Sequence, residues 1–280
     1  MSDDDPRVTP ARPDLAAKHL EGKVQAARYV EGEMRQVAAS HAPIRQEPRP
    51  DALMFTEVLK GELVKAYDTT EEGWSWGQSQ ADNYVGWLPT EALGDVGPRA
   101  THKVAAARTL VFPGPSIKLP PTEALPLGAR IAMAHTAESF AVTASGGHVP
   151  MRHLAPVTAG EPDFVAVAER FVGAPYLWGG KTSLGLDCSG LVQVALTACG
   201  IACPRDSDMQ ERALGTPAKL AGLRRGDLVF WKGHVAIARD DGSLVHANAH
   251  HMAVAIEPVA DAVARIRAAG SDITSVKRMA

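Results

Sequence analysis

Alternating apolar and polar positions between residues 52 and 93 predict a series of short β-strands. The predicted strands cover residues 55–59, 63–67, 74–78 and 84–88. The segments between them contain Gly, Asp and Asn, which favour turns. Short strands that recur about every 8–12 residues are typical of a small barrel.

A second series of predicted strands follows between residues 100 and 157. It covers residues 104–107, 110–112, 129–134, 140–143 and 148–151. These strands are richer in Ala and poorer in aromatic residues than the first series. We therefore expect a second unit built from short strands.

From residue 161 the pattern changes to helices that are followed by a run of strands. The sequence predicts one helix over 164–172, a Gly-rich segment, and a second helix from Asp187 to Ala198 with Gly200 at its C-terminal end. Predicted strands then cover residues 228–231, 234–239, 244–249, 254–258 and 274–277. This order of elements is typical of an α+β domain with an antiparallel sheet.

Composition and charge exclude several classes of protein. The chain has 280 residues, of which 45% are hydrophobic and 22% charged, so it is not collagen-like, coiled-coil or largely disordered. A net charge of -3 argues against a broad nucleic-acid-binding face. The N-terminus carries three Asp where a secretory signal has basic residues, and no apolar run approaches the roughly 18–20 residues that span a bilayer. We therefore expect a soluble, cytoplasmic protein that binds neither nucleic acid nor a membrane.

The three Cys residues lie between positions 188 and 203, and an odd, clustered set is unlike a disulfide framework. Reduced thiols are therefore expected. Asp187 is a suitable N-cap for the second helix, which places Cys188 in its first turn, where the helix dipole stabilises a thiolate. We therefore expect the position of Cys188 alone to activate it. Cys199 and Cys203 are expected to be small buried residues. No metal site is expected, because their C-x3-C pair lacks a second pair of ligands.

Two His residues on consecutive predicted strands are candidates for the base that a thiol nucleophile needs. A two-residue turn between the strands would place His234 and His246 on opposite faces of the sheet and contradict this assignment. A three-residue turn over 240–242, with Gly242 in the left-handed conformation, pairs Ala236 with His246. The two His residues then lie on one face as diagonal neighbours within hydrogen-bonding reach.

The predicted register also places small side chains on the face that carries the two His residues. These are Ala236 and Ala238, and we expect them to leave space for the helix that begins at Cys188. Asn248 shares the face with His246, so the sequence offers two candidates for the group that orients His234.

Five motifs resemble, in their order and spacing, the NlpC-type cysteine peptidases of bacterial cell walls. They are Tyr176-Leu-Trp-Gly-Gly180, Asp187-Cys-Ser-Gly-Leu191, Gly226-Asp-Leu-Val-Phe230, Gly233-His-Val-Ala-Ile237 and Val245-His-Ala247. The resemblance covers roughly residues 160–280. It implies a papain-like α+β catalytic domain over residues 158–280.

Two nearby segments resemble the bacterial SH3-like domains that accompany cell-wall hydrolases. They are Gly73-Trp-Ser-Trp-Gly-Gln78 and Asn83-Tyr-Val-Gly-Trp-Leu88. Two such β-barrels would occupy residues 41–97 and 98–157, the second as a degenerate copy without the Trp cluster. Residues 1–40, with several Pro, would form a lead-in segment.

In the related peptidases the first SH3-like domain packs against the catalytic domain and closes one end of the groove. The resemblance therefore implies that Tyr84 or Trp76 contacts the peptide substrate. The alternative is that both side chains belong only to the core of the barrel.

Roles in catalysis follow from the resemblance at the matching positions. Cys188 would be the nucleophile and His234 the general base and acid. His246 would orient His234, with Asn248 as the alternative. Tyr176 would help to bind the scissile carbonyl or its oxyanion, together with the N–H of Cys188.

The resemblance also implies the substrate. Asp187 and Ser189 would hold the free amine of an N-terminal L-Ala in a peptidoglycan stem peptide, which would be cut between γ-D-Glu and meso-diaminopimelate or L-Lys. Neither a metal nor an organic cofactor is expected. Two other functions stay open: acyl transfer on the same Cys/His/His scaffold, and peptidoglycan binding without catalysis.

Overall fold

The computed structural model describes residues 5–279 of the chain. The chain divides into two compact units, residues 1–157 and residues 158–280. Within the described range, none of the helices is both long enough and apolar enough to cross a membrane.

The first unit is built from short strands joined by turns. The strands are β1 (Ala16–Ala17), β2 (Tyr29–Val30), β3 (Glu33–Val37), β4 (His41–Arg45), β5 (Met54–Leu59), β6 (Leu63–Thr69), β7 (Trp74–Ser79), β8 (Val85–Pro89), β9 (Leu93–Gly94), β10 (His102–Val104), β11 (Arg108–Val111), β12 (Glu123–Pro126), β13 (Arg130–Ile131), β14 (Met133–Ala137), β15 (Phe140–Thr143), β16 (His148–Pro150) and β17 (Leu154–Pro156). Short 3-10 helices cover Lys18–Leu20, Thr90–Ala92 and Met151–His153.

The first part of this unit is an antiparallel sheet in the order β5-β4-β8-β7-β6-β3-β9. The four strands predicted between residues 55 and 88 are confirmed as β5 to β8. Strand β3 lies within residues 1–40, so the boundary predicted at residue 40 separates two strands of one sheet. Its first four residues are charged, polar or exposed and only Val37 is buried, which is why no strand pattern was visible there.

The segment before β3 packs against this sheet through Arg12. The Arg12 guanidinium lies over the rings of Trp76 and Trp87, 4.5 Å and 4.8 Å from the ring centroids. Its Nη2 donates to Asp68 Oδ2 at 2.6 Å. Trp76 also packs in a buried cluster with Leu15, so its ring is part of the core of the first unit.

Residues 102–156 form three small antiparallel sheets with the orders β13-β10-β17, β11-β12 and β14-β15-β16. They have their own buried cluster, which contains Val104, Val111, Leu125, Ala129, Ile131 and Val149. The second predicted series corresponds to β10, β11, β13 to β16, whereas β12 and β17 were not predicted.

The second unit combines four helices with one large sheet. The helices are α1 (Phe164–Glu169), α2 (Cys188–Ala198), α3 (Ser207–Ala213) and α4 (Val259–Ala268). The strands are β18 (Lys181–Thr182), β19 (Gly185–Leu186), β20 (Thr216–Ala218), β21 (Asp227–Trp231), β22 (His234–Ala238), β23 (Ser243–Asn248), β24 (Ala253–Pro258) and β25 (Ile273–Arg278). Six of them form an antiparallel sheet in the order β20-β25-β21-β22-β23-β24.

The predicted α+β pattern with an antiparallel sheet is confirmed for the second unit. The five predicted strands are β21 to β25, and the two predicted helices are α1 and α2. Helix α2 ends as expected, with Gly200 at a φ of 81°. Helices α3 and α4 were not predicted.

Candidate active site

Helix α2 begins at Cys188 because Asp187 caps it. Asp187 Oδ1 accepts a hydrogen bond from the N–H of Gly190 at 2.7 Å, as predicted for an N-cap. The Gly190 backbone lies directly against the carbonyl oxygen of Gly180, and a Cβ at position 190 would collide with that oxygen. Glycine at this position therefore allows the start of the helix to approach the preceding loop closely.

The thiol of Cys188 has a backbone hydrogen-bond donor on β22, which pairs with β23. The ladder between these two strands reaches the pair Ile237–Val245. Beyond that pair, the N–H of Val235 donates to the Cys188 sulfur. The sulfur is therefore hydrogen-bonded to the residue that follows His234.

The turn between β22 and β23 has three residues, 240–242, as predicted. The N–H of Arg239 donates to the carbonyl oxygen of Ser243 at 2.9 Å and closes the turn. The observed pairs are Ile237–Val245 and Ala238–Leu244, and one further step in the same register brings Ala236 opposite His246. The direct contact of His234 with His246 agrees with this register. The prediction that both His residues share one face of the sheet is confirmed.

The conformation predicted for Gly242 is wrong, because its φ does not lie in the left-handed region. The Asp240 carboxylate closes the turn instead. Its Oδ1 accepts hydrogen bonds from the N–H of Gly242 at 2.9 Å and from the N–H of Ser243 at 2.7 Å. A side-chain acceptor thus takes the place of a left-handed glycine.

The expectation that Ala236 and Ala238 leave space for the Cys188 helix is also wrong. Both alanines pack in a buried cluster with Ala262 of α4. On β22 it is the N–H of Val235 that interacts with Cys188, the first residue of α2. The small side chains on this face accommodate a helix that the sequence did not predict.

The imidazoles of His234 and His246 form a direct hydrogen bond. His234 Nε2 and His246 Nδ1 are 2.9 Å apart. Behind them, His246 Nε2 lies 3.0 Å from Glu257 Oε2. Burial lowers the pKa of His234 to about 3 and that of His246 to about 4, so both rings are neutral near neutral pH.

The prediction that its position in the helix is enough to activate Cys188 is wrong. Burial raises the pKa of the Cys188 thiol to about 12, and the neighbouring Asp187 charge raises it further. Hydrogen bonds from the N–H groups of Val235 and Ser189 and the charge of Arg205 oppose this rise without cancelling it. In the free protein the Cys188 thiol and the His234 imidazole are therefore both neutral.

A titration of the thiol checks this protonation state. We expect the ultraviolet absorbance of a thiolate, taken as the difference between wild type and Cys188→Ala, to stay absent from about pH 5 to pH 9. Alkylation of Cys188 by iodoacetamide should be slow near neutral pH and rise with pH. Cys199→Ala is the matched control, since it removes a different thiol of the same helix region. A thiolate absorbance that is already present below about pH 7 would contradict a neutral Cys188 thiol and a neutral His234 imidazole.

The charge of Asp187 is compensated by a buried arginine that the sequence analysis did not single out. Arg205 is 1% exposed and donates through Nη1 to Asp187 Oδ1 at 2.9 Å and through Nη2 to Oδ2 at 2.7 Å. Nη1 also donates to Ser189 Oγ at 2.9 Å. The N–H of Gly179 donates to Asp187 Oδ2 at 2.8 Å. The residues on both sides of Cys188 therefore belong to one hydrogen-bonded network.

Tyr176 is held by the main chain close to this network. Its N–H donates to the carbonyl oxygen of Met252 at 2.9 Å, and it forms an isolated bridge with Leu186, just before Asp187. Burial, and then the neighbouring Cys188 and Asp187, raise the pKa of the Tyr176 phenol. The hydroxyl therefore stays protonated and is a hydrogen-bond donor at ordinary pH.

Comparison with known proteins relates this geometry to a family. Residues 173–269 match the NlpC/P60 family, and residues 44–93 match the bacterial dipeptidyl-peptidase Sh3 domain. The residues of the candidate site described above, from Tyr176 to Glu257, lie inside the first match. Residues 173–269 form an NlpC/P60 domain.

The relatives of this chain include two proteins named gamma-D-glutamyl-L-lysine dipeptidyl-peptidase. The protein from Bacillus cereus is 34% identical over 110 residues, 36% of this chain and 33% of that protein. The protein from Bacillus subtilis is 29% identical over 225 residues, 70% of this chain and 73% of that protein. The matched part of the chain spans about a third of the length of the first curated relatives.

The fold is similar to that of a solved NlpC/P60 family protein from Bacillus cereus. The TM-score is 0.72, with 20% sequence identity, and the match covers 88% of this chain and 99% of the solved chain. This similarity supports an SH3 domain combined with an NlpC/P60 domain.

Within the NlpC/P60 domain, the other His and Asn candidates have no part in the imidazole pair. Asn248 Oδ1 accepts from the N–H of His251 at 2.8 Å and lies 2.9 Å from its Nδ1. It is therefore His246 that contacts His234, and not Asn248. His250 and His251 are exposed, as expected for loop residues.

The remaining site candidates lie in the first unit, outside the NlpC/P60 domain. Tyr84 and Trp76 are 3% and 4% exposed, and the Tyr84 ring packs against Phe55 at a centroid distance of 5.8 Å. That either side chain contacts the peptide stays a prediction.

Within the part of the chain that the structure describes, none of the three Cys residues forms a disulfide. Cys203 is buried, as expected, and its Sγ donates to the carbonyl oxygen of Pro204 at 3.4 Å. Cys199 is only partly buried, because it lies at the open C-terminal end of α2. Among residues 5–279, no group of three or more His, Cys, Asp or Glu side chains is arranged to hold a metal ion.

Sequence reasoning missed the residues that support the site from a distance. Glu257 lies on β24, and the β23–β24 register pairs it with Leu244, diagonal to His246 on the same face. Gln210, fully buried on α3, donates to the carbonyl oxygen of Ser189 at 2.9 Å. A register argument like the one used for the His pair would have found Glu257, but no local pattern marks Gln210.

Proposed function

We propose that this chain is a cysteine peptidase that cuts peptidoglycan stem peptides between γ-D-Glu and the diamino acid, meso-diaminopimelate or L-Lys. The observation that carries the proposal is the hydrogen-bonded pair of His234 and His246 beside the capped Cys188. The relatives named gamma-D-glutamyl-L-lysine dipeptidyl-peptidase support this class of substrate.

In the proposed reaction, Cys188 Sγ attacks the γ-carbonyl carbon of D-Glu while its proton passes to Nδ1 of His234. Because thiol and imidazole are both neutral beforehand, the proton moves together with the attack. The imidazolium of His234, hydrogen-bonded to His246, then protonates the leaving amine as the C–N bond breaks. The products of this half-reaction are the free diamino acid end and a thioester on Cys188.

The second half-reaction returns the protein to its starting state. His234 takes a proton from a water molecule, whose oxygen attacks the thioester carbon. The C–S bond breaks, L-Ala-γ-D-Glu leaves as the carboxylic acid, and the proton on His234 returns to the sulfur. The chemistry uses one base throughout and neither oxidises nor reduces any group.

The oxyanion of each tetrahedral intermediate needs hydrogen-bond donors. The N–H of Cys188 lies in the first turn of α2, where backbone donors have no partner within the helix. Tyr176 supplies a second donor, since its phenol stays protonated. We assign both groups to oxyanion binding.

We assign Asp187 and Ser189 to the free amine of the N-terminal L-Ala. The Asp187 carboxylate already accepts hydrogen bonds from Arg205, Gly179 and Gly190. The ammonium of the substrate L-Ala would therefore share the carboxylate oxygens with these donors. Ser189 Oγ offers a further acceptor beside it. Ser189→Ala is therefore expected to raise KM for peptides with a free amine more than it lowers kcat.

The architecture assigned to the rest of the chain is part of the same proposal. The separate buried cluster of residues 102–156 supports a second, degenerate SH3-like barrel over residues 98–157. The helix that carries Cys188 and the sheet that carries His234 support a papain-like arrangement of the catalytic domain. We retain Tyr84 and Trp76 as candidate peptide contacts.

A panel of defined peptides tests the function. We expect mass spectrometry to detect L-Ala-D-Glu and the free diamino acid from L-Ala-γ-D-Glu-L-Lys and from its diaminopimelate counterpart. Peptides with an acetylated N-terminus should be cut at least about ten times more slowly, since their amine can no longer bind as a cation. Transfer of the dipeptide to an added amine with no hydrolysis in its absence would indicate acyl transfer. Binding without any covalent change would indicate a peptidoglycan-binding protein.

A further inference from the structure

A row of polar side chains continues behind the two His residues across three strands. His234 lies on β22, His246 on β23 and Glu257 on β24, and each is a diagonal neighbour of the next. The two distances along the row are 2.9 Å and 3.0 Å. Arg265 of α4 ends the row, with Nε 3.0 Å from Glu257 Oε1 and Nη2 2.6 Å from Oε2.

We propose that Glu257 is a positioning residue that fixes the tautomers of His246 and His234, and so presents an unprotonated Nδ1 to Cys188. The role as base for Cys188 rests on the proposed function. The tautomers themselves do not, because they follow from hydrogen bonds within the chain.

The argument starts at Glu257, which is ionised. Burial opposes the charge, but the hydrogen bonds and charge of Arg265 outweigh it and hold the pKa of Glu257 below its usual range. An ionised carboxylate only accepts hydrogen bonds. The proton between Glu257 Oε2 and His246 Nε2 therefore belongs to His246.

The same logic passes along the row. Because His246 is neutral and carries its proton on Nε2, its Nδ1 is an acceptor. His234 Nε2 must then donate to it, and a neutral His234 has its lone pair on Nδ1. Without an acceptor at position 257, the proton of His246 could move to Nδ1, and the ring of His234 would lose its donor role.

Arg265 has a second effect on the row. A carboxylate that accepts two hydrogen bonds from a guanidinium is a weak base, so it leaves the proton on His246. The charged and titratable groups that face His246 are Glu257, Arg265, His234 and the more distant His251. Of these, Glu257 is the one placed to accept from Nε2.

An ion pair of this kind is not in itself evidence of a role in catalysis. The same sheet contains a second pair with a buried carboxylate and a partly exposed arginine, in which Arg278 donates to Asp227 at 2.9 Å and 2.7 Å. Asp227 is 1% exposed, and its carboxylate accepts from the N–H of Arg224 and from Arg278, with no His ring bonded to it within residues 5–279. Asp227→Asn is therefore a matched control for the loss of a buried carboxylate–arginine pair.

Long-range 1H–15N correlation spectra of the His side chains test the tautomers directly. In the wild-type chain we expect His246 and His234 each to show a protonated Nε2 and an unprotonated Nδ1, with signals assigned by their loss in His246→Gln and His234→Gln. The opposite tautomer at His246 would overturn the proposal. This readout needs no substrate, so it is unaffected if the proposed peptidase activity fails.

Variants at position 257 provide the second test. Glu257→Leu should give a mixture of the two His246 tautomers. It should also lower kcat/KM about 10- to 100-fold, mainly through kcat, as is typical when an orienting partner is removed. Glu257→Gln keeps an acceptor oxygen, so it should retain the wild-type tautomers and most of the activity. The control Asp227→Asn should retain both. If Glu257→Leu keeps both the wild-type tautomers and the wild-type kcat, the proposal is overturned. If Glu257→Leu does not fold, altered tautomers in Glu257→Gln would overturn it instead.

Discussion

Replacing Cys188 by alanine is expected to lower kcat/KM for an L-Ala-γ-D-Glu-diamino acid peptide by about ten-thousand-fold or more. The size follows from the loss of the nucleophile, because the remaining groups provide only binding and oxyanion stabilisation. Peptide binding should survive, since the substitution removes a sulfur and no charge. Calorimetric titration of the variant with uncut peptide measures that binding.

Cys199→Ala is the matched control for this prediction. It removes a partly buried thiol at the opposite end of α2, so its activity should stay within about twofold of wild type. Cys188→Ala with unchanged hydrolysis would rule out the assigned nucleophile. If neither the wild-type chain nor Cys188→Ala hydrolyses the peptide, and the two have the same biological activity, the peptidoglycan-binding alternative would be favoured.

Replacing Arg205 by methionine should destabilise the second unit by about 3–5 kcal/mol. The substitution keeps much of the side-chain volume but leaves the Asp187 carboxylate buried without its counter-charge, and breaking a buried ion pair in this way is strongly destabilising. The corresponding fall in Tm is about 10 °C or more for a unit of this size. Thermal and urea unfolding of the full chain measure the effect.

Arg212→Met is the control, because Arg212 pairs with Asp208 on the surface of α3, with side chains 58% and 45% exposed. An exposed pair contributes at most about 1 kcal/mol. Adding Asp187→Asn to Arg205→Met should recover part of the lost stability, since it removes the unpaired charge. Equal shifts in Tm for the variants at 205 and 212 would contradict the importance given to the buried pair.

The central part of the site could be predicted because its geometry is local. His234 and His246 are separated by one short turn, and in a strand pair the face of each side chain follows from the length of that turn. Asp187 as a cap likewise depends on residues within one helical turn. These relations involve few residues, so the sequence pattern is sufficient to predict them.

The rest of the site depends on contacts between distant parts of the chain. Arg205 reaches Asp187 from 18 residues away, through a loop whose path no periodic pattern describes. The activation predicted for Cys188 was wrong because burial, which the sequence does not quantify, outweighs the helix dipole. Strand β3 was missed because it buries a single side chain, Val37, at its end.

The sulfur of Cys188 accepts from the backbone N–H of Val235, so it satisfies a donor of the sheet in addition to its proposed role as nucleophile. An alanine at position 188 leaves this backbone donor without an acceptor. A serine at the same position replaces the sulfur by a smaller acceptor, the hydroxyl oxygen. For trapping an uncut peptide in a crystal, Cys188→Ser is therefore the inactive variant that best preserves the shape of the groove.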